Sequence, residues 1–268
     1  MAPDNPGAFY FCSMLLTDTH THQYYETDSI KRQELMQRCL DNSVGRLFLP
    51  NVDSASIELV MSQVKAFPDN CFAMLGLHPC DVKENWREEL NNISAAIPQH
   101  KIYAIGEIGI DLYWDKTTLD KQIEAFKIQI GLAKKLKLPV VIHCRDSFNE
   151  VFQVLEEEQD ADLRGIFHCF TGTLEQAQKV TGLGFYLGIG GVVTYKNAGL
   201  DKVVEQIDLK HIVLETDSPY LTPVPYRGKK NESSYLVYVA EKVADLHHTS
   251  IEHIAAVTTE NSRIVFGV

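Results

Sequence analysis

Nowhere does the chain carry an uninterrupted apolar run near the roughly 18 residues that a membrane-spanning helix needs. Its longest apolar stretches, such as Pro139 to Ile142, are the size of a strand, so no membrane span is expected. Cysteine is sparse and unpatterned: Cys12, Cys39, Cys71, Cys80, Cys144 and Cys169 form no CxxC pair. With no basic start and long apolar run ahead of them, they predict reduced thiols, no disulfides and a cytoplasmic protein. Positive charge is also short. Lys and Arg number 25 against 36 Asp and Glu, a net charge of -11, which excludes a protein that holds polyanions by its surface field alone. A nucleic-acid substrate survives that exclusion, because divalent cations and a few arginines in one cleft reverse the field locally. Linkers rich in Ser, Gly or Pro are lacking after Met14, so residues 14–268 predict one domain. Residues 1–13 open with Pro3, Asp4, Asn5, Pro6 and Gly7 and read as an N-terminal extension or an alternative start. A content of 45% hydrophobic and 23% charged residues leaves out disorder, a collagen-like repeat and a coiled coil.

What the chain does have is alternation. Short apolar or β-branched runs predict strands at Leu15 to Thr19, Arg46 to Leu49, Phe72 to Leu77, Ile102 to Gly106, Val140 to His143, Gly165 to His168, Phe185 to Gly188 and His211 to Glu215. Stretches of helical period lie between them, among them Ser29 to Asn42, Ser54 to Ala66, Leu119 to Leu136, Ser147 to Glu157, Leu174 to Thr181 and Ala198 to Gln206. Eight strands, each followed by a mostly helical connection, predict an α/β fold of the (β/α)8 TIM barrel type, and 268 residues suit it.

Polar side chains gather at the ends of these runs: His20 and His22, Asp53, His78, Glu107, His143, His168 and Asp217. In a barrel such positions converge on the C-terminal face, where loops bring distant groups around one cavity. Asp53, directly before Ser54, is better read as a helix cap. His20 and His22 stand at i and i+2, which on an extended backbone points both imidazoles the same way and lets them grip one cation. In IGEIGID, Glu107 ends the fourth strand between two glycines. A carboxylate there can bridge two cations, while its small neighbours let a metal or a substrate phosphate approach; a turn with a solvated Glu is the plainer alternative. His143 and His168 close the fifth and sixth strands, and Arg145 offers the planar, bidentate donors that suit phosphate oxygens. Asp217, past the eighth strand, can ligate with one oxygen and take a proton with the other. The Pro-stiffened stretch from Thr222 to Glu232, with Arg227, Lys229 and Lys230, reads as an anion-binding rim or as a solvated loop.

Taken in order, DTHTH, GLHP (Gly76 to Pro79), IGEIGID, PVVIHCRD, GIFHCFTG, LGIGG and LETDSPYLTP with PYRGKKNE resemble the TatD family of metal-dependent deoxyribonucleases, barrels of the amidohydrolase-like kind. The resemblance runs from Leu15 to about Val268. It implies two divalent metal ions (zinc, manganese or magnesium), with His20, His22 and Asp217 on one, His143 and His168 on the other, and Glu107 bridging them. It also implies phosphate contacts from Arg145 and His78, and orienting roles for Asp111 and Glu215. Cys144 and Cys169 read as packing residues. The implied activity is phosphodiester hydrolysis by a 3′ to 5′ exonuclease on DNA, single-stranded or at 3′ ends. Glu107 and Asp217 would be catalytic, with Asp217 orienting or deprotonating a bridging water. No obligate protein partner is expected. Gln23, where a Leu usually follows the second His, and Ser233, where the family often has Pro, bear on loop shape and hence on substrate preference. Alternatives on the same metal centre are a D-aminoacyl-tRNA deacylase and a small amide, ester or lactone hydrolase; a non-enzymatic metal-stabilised scaffold is a third. A carbamylated-lysine centre is disfavoured, because the fourth strand offers Glu107 rather than Lys.

Overall fold

The computed structural model describes residues 14–268; the expectation of an N-terminal extension lies outside the described residues. The strands are β1 (Leu16–Asp18), β2 (Val44–Pro50), β3 (Cys71–Leu75), β4 (Ile102–Asp111), β5 (Val140–Arg145), β6 (Gly165–Phe167), β7 (Tyr186–Ile189) and β8 (Ile212–Leu214). They pair in parallel in sequence order. The seam between β8 and β1 is drawn together by Thr19, whose backbone N–H and Oγ1 both donate to the Leu214 carbonyl at 3.0 Å. The connections carry α1 (Ser29–Asp41), α2 (Ile57–Ala66), α3 (Trp86–Ala96), α4 (Leu119–Leu136), α5 (Phe148–Glu158), α6 (Leu174–Gly182) and α7 (Leu200–Val204). After β8 the chain adds α8 (Leu236–Leu246) and α9 (Ile251–Phe266). The expected (β/α)8 barrel is the architecture observed. No helix among the described residues is long and apolar enough to cross a membrane.

The period-2 alternation of the strands divides the core in two. Leu47, Leu49, Val140, Ile142, Ile212 and Leu214 face outward into the large cluster under the helices. Phe48, Met74, Ala104, Val141, Ile166 and Val213 face inward, and Phe266 from the end of α9 stacks on Phe48 with ring centroids 3.8 Å apart. The lumen is therefore packed with side chains, as in other barrels of this type. Two residues on from Val141 and from Ile166, the same inward face carries His143 and His168. The metal-ligating residue types begin where the apolar filling stops.

β4 departs from this rhythm. From Ala104 and Gly106 the inward parity would present Ile108, yet Ile108 and Ile110 lie in the outer cluster. A register shift between Gly106 and Ile108 absorbs one extra residue and turns Glu107 inward, the ordinary work of a bulge. This corrects the expectation that the strand ends at Gly106: it runs on to Asp111, and Glu107 lies within it. The glycines are also not space for a substrate. At Gly109, where φ is +139°, a Cβ would collide with the His143 carbonyl oxygen of β5, so the residue allows two backbones to close up.

Other boundaries moved for local reasons. Asp53 caps a short 3₁₀ turn by accepting the Ser56 N–H at 2.8 Å, as its cap reading expected, so α2 begins at Ile57 rather than Ser54. The pattern over Ala198 to Gln206 yields only α7, entered through Gly199 at φ +71°. Helices α3, α8 and α9 were not singled out by periodicity. Two buried glutamines of α4 finish strands that have run out of partners: Gln129 Oε1 accepts the Leu77 N–H at 2.7 Å and Gln122 Oε1 the Asp111 N–H at 2.8 Å. They hold the ends of β3 and β4 where the chain turns into the site.

Candidate metal centre

Glu107 stands at the centre of the barrel mouth with its side chain 3% exposed. Its Oε2 lies 3.2 Å from His20 Nε2 and 3.6 Å from His22 Nε2. Its Oε1 lies 2.7 Å from His143 Nδ1, 3.0 Å from His168 Nε2 and 3.2 Å from His78 Nε2. Asp217 Oδ1 completes the first group, 3.5 Å from His22 Nε2 and 3.9 Å from His20 Nε2. Asp217 sits past β8 at φ +52°, a left-handed conformation that Asp tolerates better than most residues, and its N–H donates to the His20 carbonyl at 2.9 Å. The six residues expected as ligands, His20, His22, Glu107, His143, His168 and Asp217, are thus brought together.

These donors fit a cation. A tetrahedral ion with bonds of about 2.1 Å has donor-to-donor edges of about 3.4 Å, and the distances from His20 and His22 to each other, to Glu107 and to Asp217 run from 3.2 to 3.9 Å around that value. Buried groups stand behind the donors and decide which nitrogen faces the centre. Asp111 Oδ2 takes the far nitrogen of His143, Nε2, at 2.9 Å, leaving Nδ1 for the centre. Behind His22, the Tyr24 hydroxyl lies 3.0 Å from Nδ1. Glu215 Oε1 lies 3.3 Å from His168 Nδ1, off line for a hydrogen bond, and accepts the Cys169 N–H at 2.5 Å. Such carboxylates behind imidazoles orient metal ligands and raise their basicity.

His78 differs. Its Nδ1 accepts the Cys80 N–H at 3.0 Å, so in the neutral ring Nε2 carries the proton and has no lone pair to give a metal. It therefore faces the centre as a hydrogen-bond donor.

Charge in the pocket is set by mutual compensation. Burial alone would raise the Glu107 carboxyl, but the imidazoles of His78, His168 and His20 and the hydrogen bond from His143 outweigh it and hold it well below the usual range. Burial would likewise raise Asp111, and the hydrogen bonds from His143 and from the Trp114 and Tyr113 N–H groups bring it down to about 2. Burial and the neighbouring His168 lower His20, whereas Glu107 and Glu215 raise His168 against its burial. A buried carboxylate kept ionised by imidazoles around both of its oxygens is a receptor for cationic charge.

A cavity of about 690 Å³ opens above the centre and includes Arg145, Trp114 and Tyr220 among its walls. Arg145, exposed at the end of β5, rests its guanidinium 3.8 Å from the Tyr113 ring centroid. The basic loop is not in that wall: Arg227 stacks on Tyr195 at 3.9 Å over a separate hollow, and Lys230 borders another. Cys144 and Cys169 do border the main cavity, but neither contributes to the clustered metal donors among the described residues, and burial pushes the Cys144 thiol up to about 12. The described cysteines, Cys39, Cys71, Cys80, Cys144 and Cys169, are free, and Cys12 lies outside the described residues. Ser233 donates its Oγ to Thr21 at 2.9 Å, and Gln23 is buried against Cys39, so both departures from the family pattern serve the loop after β1.

Sequence reasoning passed over two residues here. Tyr24 continues the alternation of His20 and His22 one step further, a signal that was available. Asp18, which burial pushes up to about 7, receives the Thr216 N–H at 2.9 Å and the Thr216 Oγ1 at 2.6 Å and so ties the first loop to the eighth.

Comparison with known proteins places the chain in a lineage. The family model described as TatD related DNase matches residues 17–267. The chain belongs to that family. The TatD-family relative YabD of Bacillus subtilis strain 168, described as a metal-dependent hydrolase, is 41% identical over 258 residues, which cover 95% of this chain and 100% of YabD. The 3′-5′ ssDNA/RNA exonuclease TatD of Salmonella typhimurium is 30% identical over 244 residues, covering 88% of this chain and 93% of that protein. The crystal structure of YJJV, a TatD homologue from Escherichia coli K12, matches with a TM-score of 0.88 at 27% identity, over 94% of this chain and 98% of YJJV. As a TatD-family member the chain is a metal-dependent hydrolase.

Proposed function

We propose that the chain is a phosphodiesterase with two divalent cations that removes nucleotides from the 3′ end of DNA. One observation carries the binuclear part: the two oxygens of Glu107 face two different donor groups, Oε2 toward His20 and His22 and Oε1 toward His143 and His168. His20, His22 and Asp217 would hold one ion, His143 and His168 the other, and Glu107 both. The cations, zinc, manganese or magnesium, supply Lewis acidity at the phosphoryl oxygens and make the attacking water more acidic.

The side chains supply the rest. Arg145 grips a phosphate oxygen pair, and among the described residues no carboxylate pairs with its charge, which is carried on an aromatic face. His78 donates its Nε2–H toward the same centre. Asp217 has its side chain 14% exposed against 3% for Glu107, so it is the carboxylate that water can reach. Its pKa, which burial would raise, is lowered by the hydrogen bond from His22 and by His168, so it is ionised at neutral pH and able to accept the proton of the attacking water. That water bonds to phosphorus and the P–O3′ bond breaks. The terminal nucleotide leaves with its 5′ phosphate, and solvent protonates the O3′ left on the strand. Support for a 3′ to 5′ direction comes from the Salmonella typhimurium relative.

The test is hydrolysis by the metal-reconstituted chain of 5′-labelled single-stranded DNA, D-aminoacyl-tRNA and a lactone panel in parallel. Stepwise shortening of the DNA alone supports the proposal. Cleavage confined to the tRNA ester or a lactone would replace it with one of the other hydrolases.

A further inference from the structure

We infer that Trp114, together with the Tyr113–Arg145 stack beside it, is a subsite that holds an unpaired nucleobase next to the scissile phosphate. The inference rests on the phosphodiesterase proposal and extends it to the strand state of the substrate.

Two large aromatic side chains stand unburied on the turn that leaves β4: Trp114 is 70% exposed and Tyr113 54% exposed. Surface apolar residues taken singly need no explanation, but Trp114 borders the cavity that contains Glu107, Tyr113 borders an adjoining hollow that shares Cys144 and Arg145 with it, and both are fastened to its chemistry. Asp111 Oδ1 accepts both of their backbone N–H groups, at 2.9 Å from Tyr113 and 3.1 Å from Trp114, while Asp111 Oδ2 holds His143. One carboxylate thus sets the aromatic turn and a metal-facing imidazole at a fixed distance from each other. The Tyr113 and Trp114 rings meet edge to face, with centroids 4.9 Å apart. The Arg145 guanidinium carbon stands over the Tyr113 ring, 3.8 Å from its centroid, and 5.7 Å from the Trp114 centroid. A guanidinium held through its face keeps its edge N–H groups for phosphate oxygens.

The opposite rim repeats the pattern. Tyr25 and Tyr220, the latter 53% exposed, project from the loops after β1 and β8 and flank His22 with centroid distances of 5.7 Å and 6.1 Å. In the strand order, β8 and β1 lie half-way round the barrel from β4 and β5. The candidate metal donors therefore sit between two aromatic rims.

A flat π face beside a phosphate-ready guanidinium matches a nucleotide, and it accepts any base because each has a π face. In a duplex those faces are covered by their neighbours, so the subsite selects unpaired ends. The net charge of -11 argues in the same direction, since gripping a duplex backbone takes a broad basic surface.

The chain has two tryptophans, and Trp86 is buried at 4% exposure, so a base stacking at the rim quenches the emission of Trp114 and leaves that of Trp86. The metal-reconstituted full chain is titrated with a cleavage-resistant phosphorothioate strand, with the same strand as a blunt duplex, and with a strand abasic at its 3′-terminal residues. Quenching by the plain strand, lost with the duplex and the abasic strand, is expected. On cleavable DNA, Trp114→Ala should raise KM about tenfold or more, with metal content unchanged and kcat within about threefold. Trp114→Phe should recover most of that loss, and an abasic end should erase the difference between Trp114→Ala and the native chain. Equal quenching by all three ligands, or an unchanged KM in Trp114→Ala, would overturn the subsite. Base-dependent quenching without cleavage would leave the subsite standing and remove the nuclease proposal; cleavage indifferent to Trp114 would do the reverse.

Discussion

Among single side chains, the six candidate ligands differ in what removing each should do. Glu107 is the one placed between both donor groups, so Glu107→Ala should empty both positions, whereas His143→Ala should chiefly empty one; elemental analysis of the reconstituted variants reads this directly. Asp217→Asn keeps the size, one ligating oxygen and a residue type that tolerates φ +52°, but loses the proton acceptor. A fall in kcat of roughly a hundredfold or more is expected, with KM on DNA little changed. Near-normal kcat with both ions bound would make Asp217 a ligand only. Residue types were legible from sequence because His, Glu and Asp at the ends of apolar runs carry their chemistry with them. Which ring nitrogen faces the centre was not, because partners distant in sequence decide it: Asp111 behind His143, Cys80 N–H on His78.

Within elements, the alternation of inward and outward residues was legible and led to the barrel. The bulge in β4 was not, since it depends on how closely β5 approaches and not on any property of Ile105 to Asp111 alone. Gly109→Ala tests this. Its Cβ would meet the His143 carbonyl at φ +139°, so the variant should melt lower and bind metal poorly, as His143 shifts with its backbone. Gly131 is the control: it lies on the exposed face of α4 with nothing within 4 Å of an added Cβ. Gly131→Ala should stabilise by about 0.5–1 kcal/mol through helix propensity, read as a slightly higher Tm with metal content unaltered. The helices α3, α8 and α9 escaped notice for a different reason. Their apolar residues do stand at helical spacing, Trp86, Leu90 and Ile93 in α3 and Leu236, Val239, Ala240 and Val243 in α8, so the signal was present in the sequence and went unused.

Taken as one body, the protein carries a net charge of -11, and under the proposed function its mouth receives a polyanion. Attraction has to come from Arg145 and the bound cations, so cleavage of DNA should slow as salt rises, and Arg145→Ala should flatten that slope while leaving metal content unchanged. Ions that bind only the folded barrel also stabilise it by mass action. Chelation should therefore lower Tm, and Glu107→Ala should be insensitive to chelator. A Tm indifferent to chelation in the native chain would mean that the donors are not joined by metal in solution.

The most direct measurement is electrophoresis of a 5′-labelled single strand after incubation with the reconstituted chain, with and without chelator. A ladder shortening from the 3′ end, together with released 5′ mononucleotides and abolished by chelation, is the predicted result. An intact strand in the presence of protein shown to hold two ions per chain would contradict the proposed function.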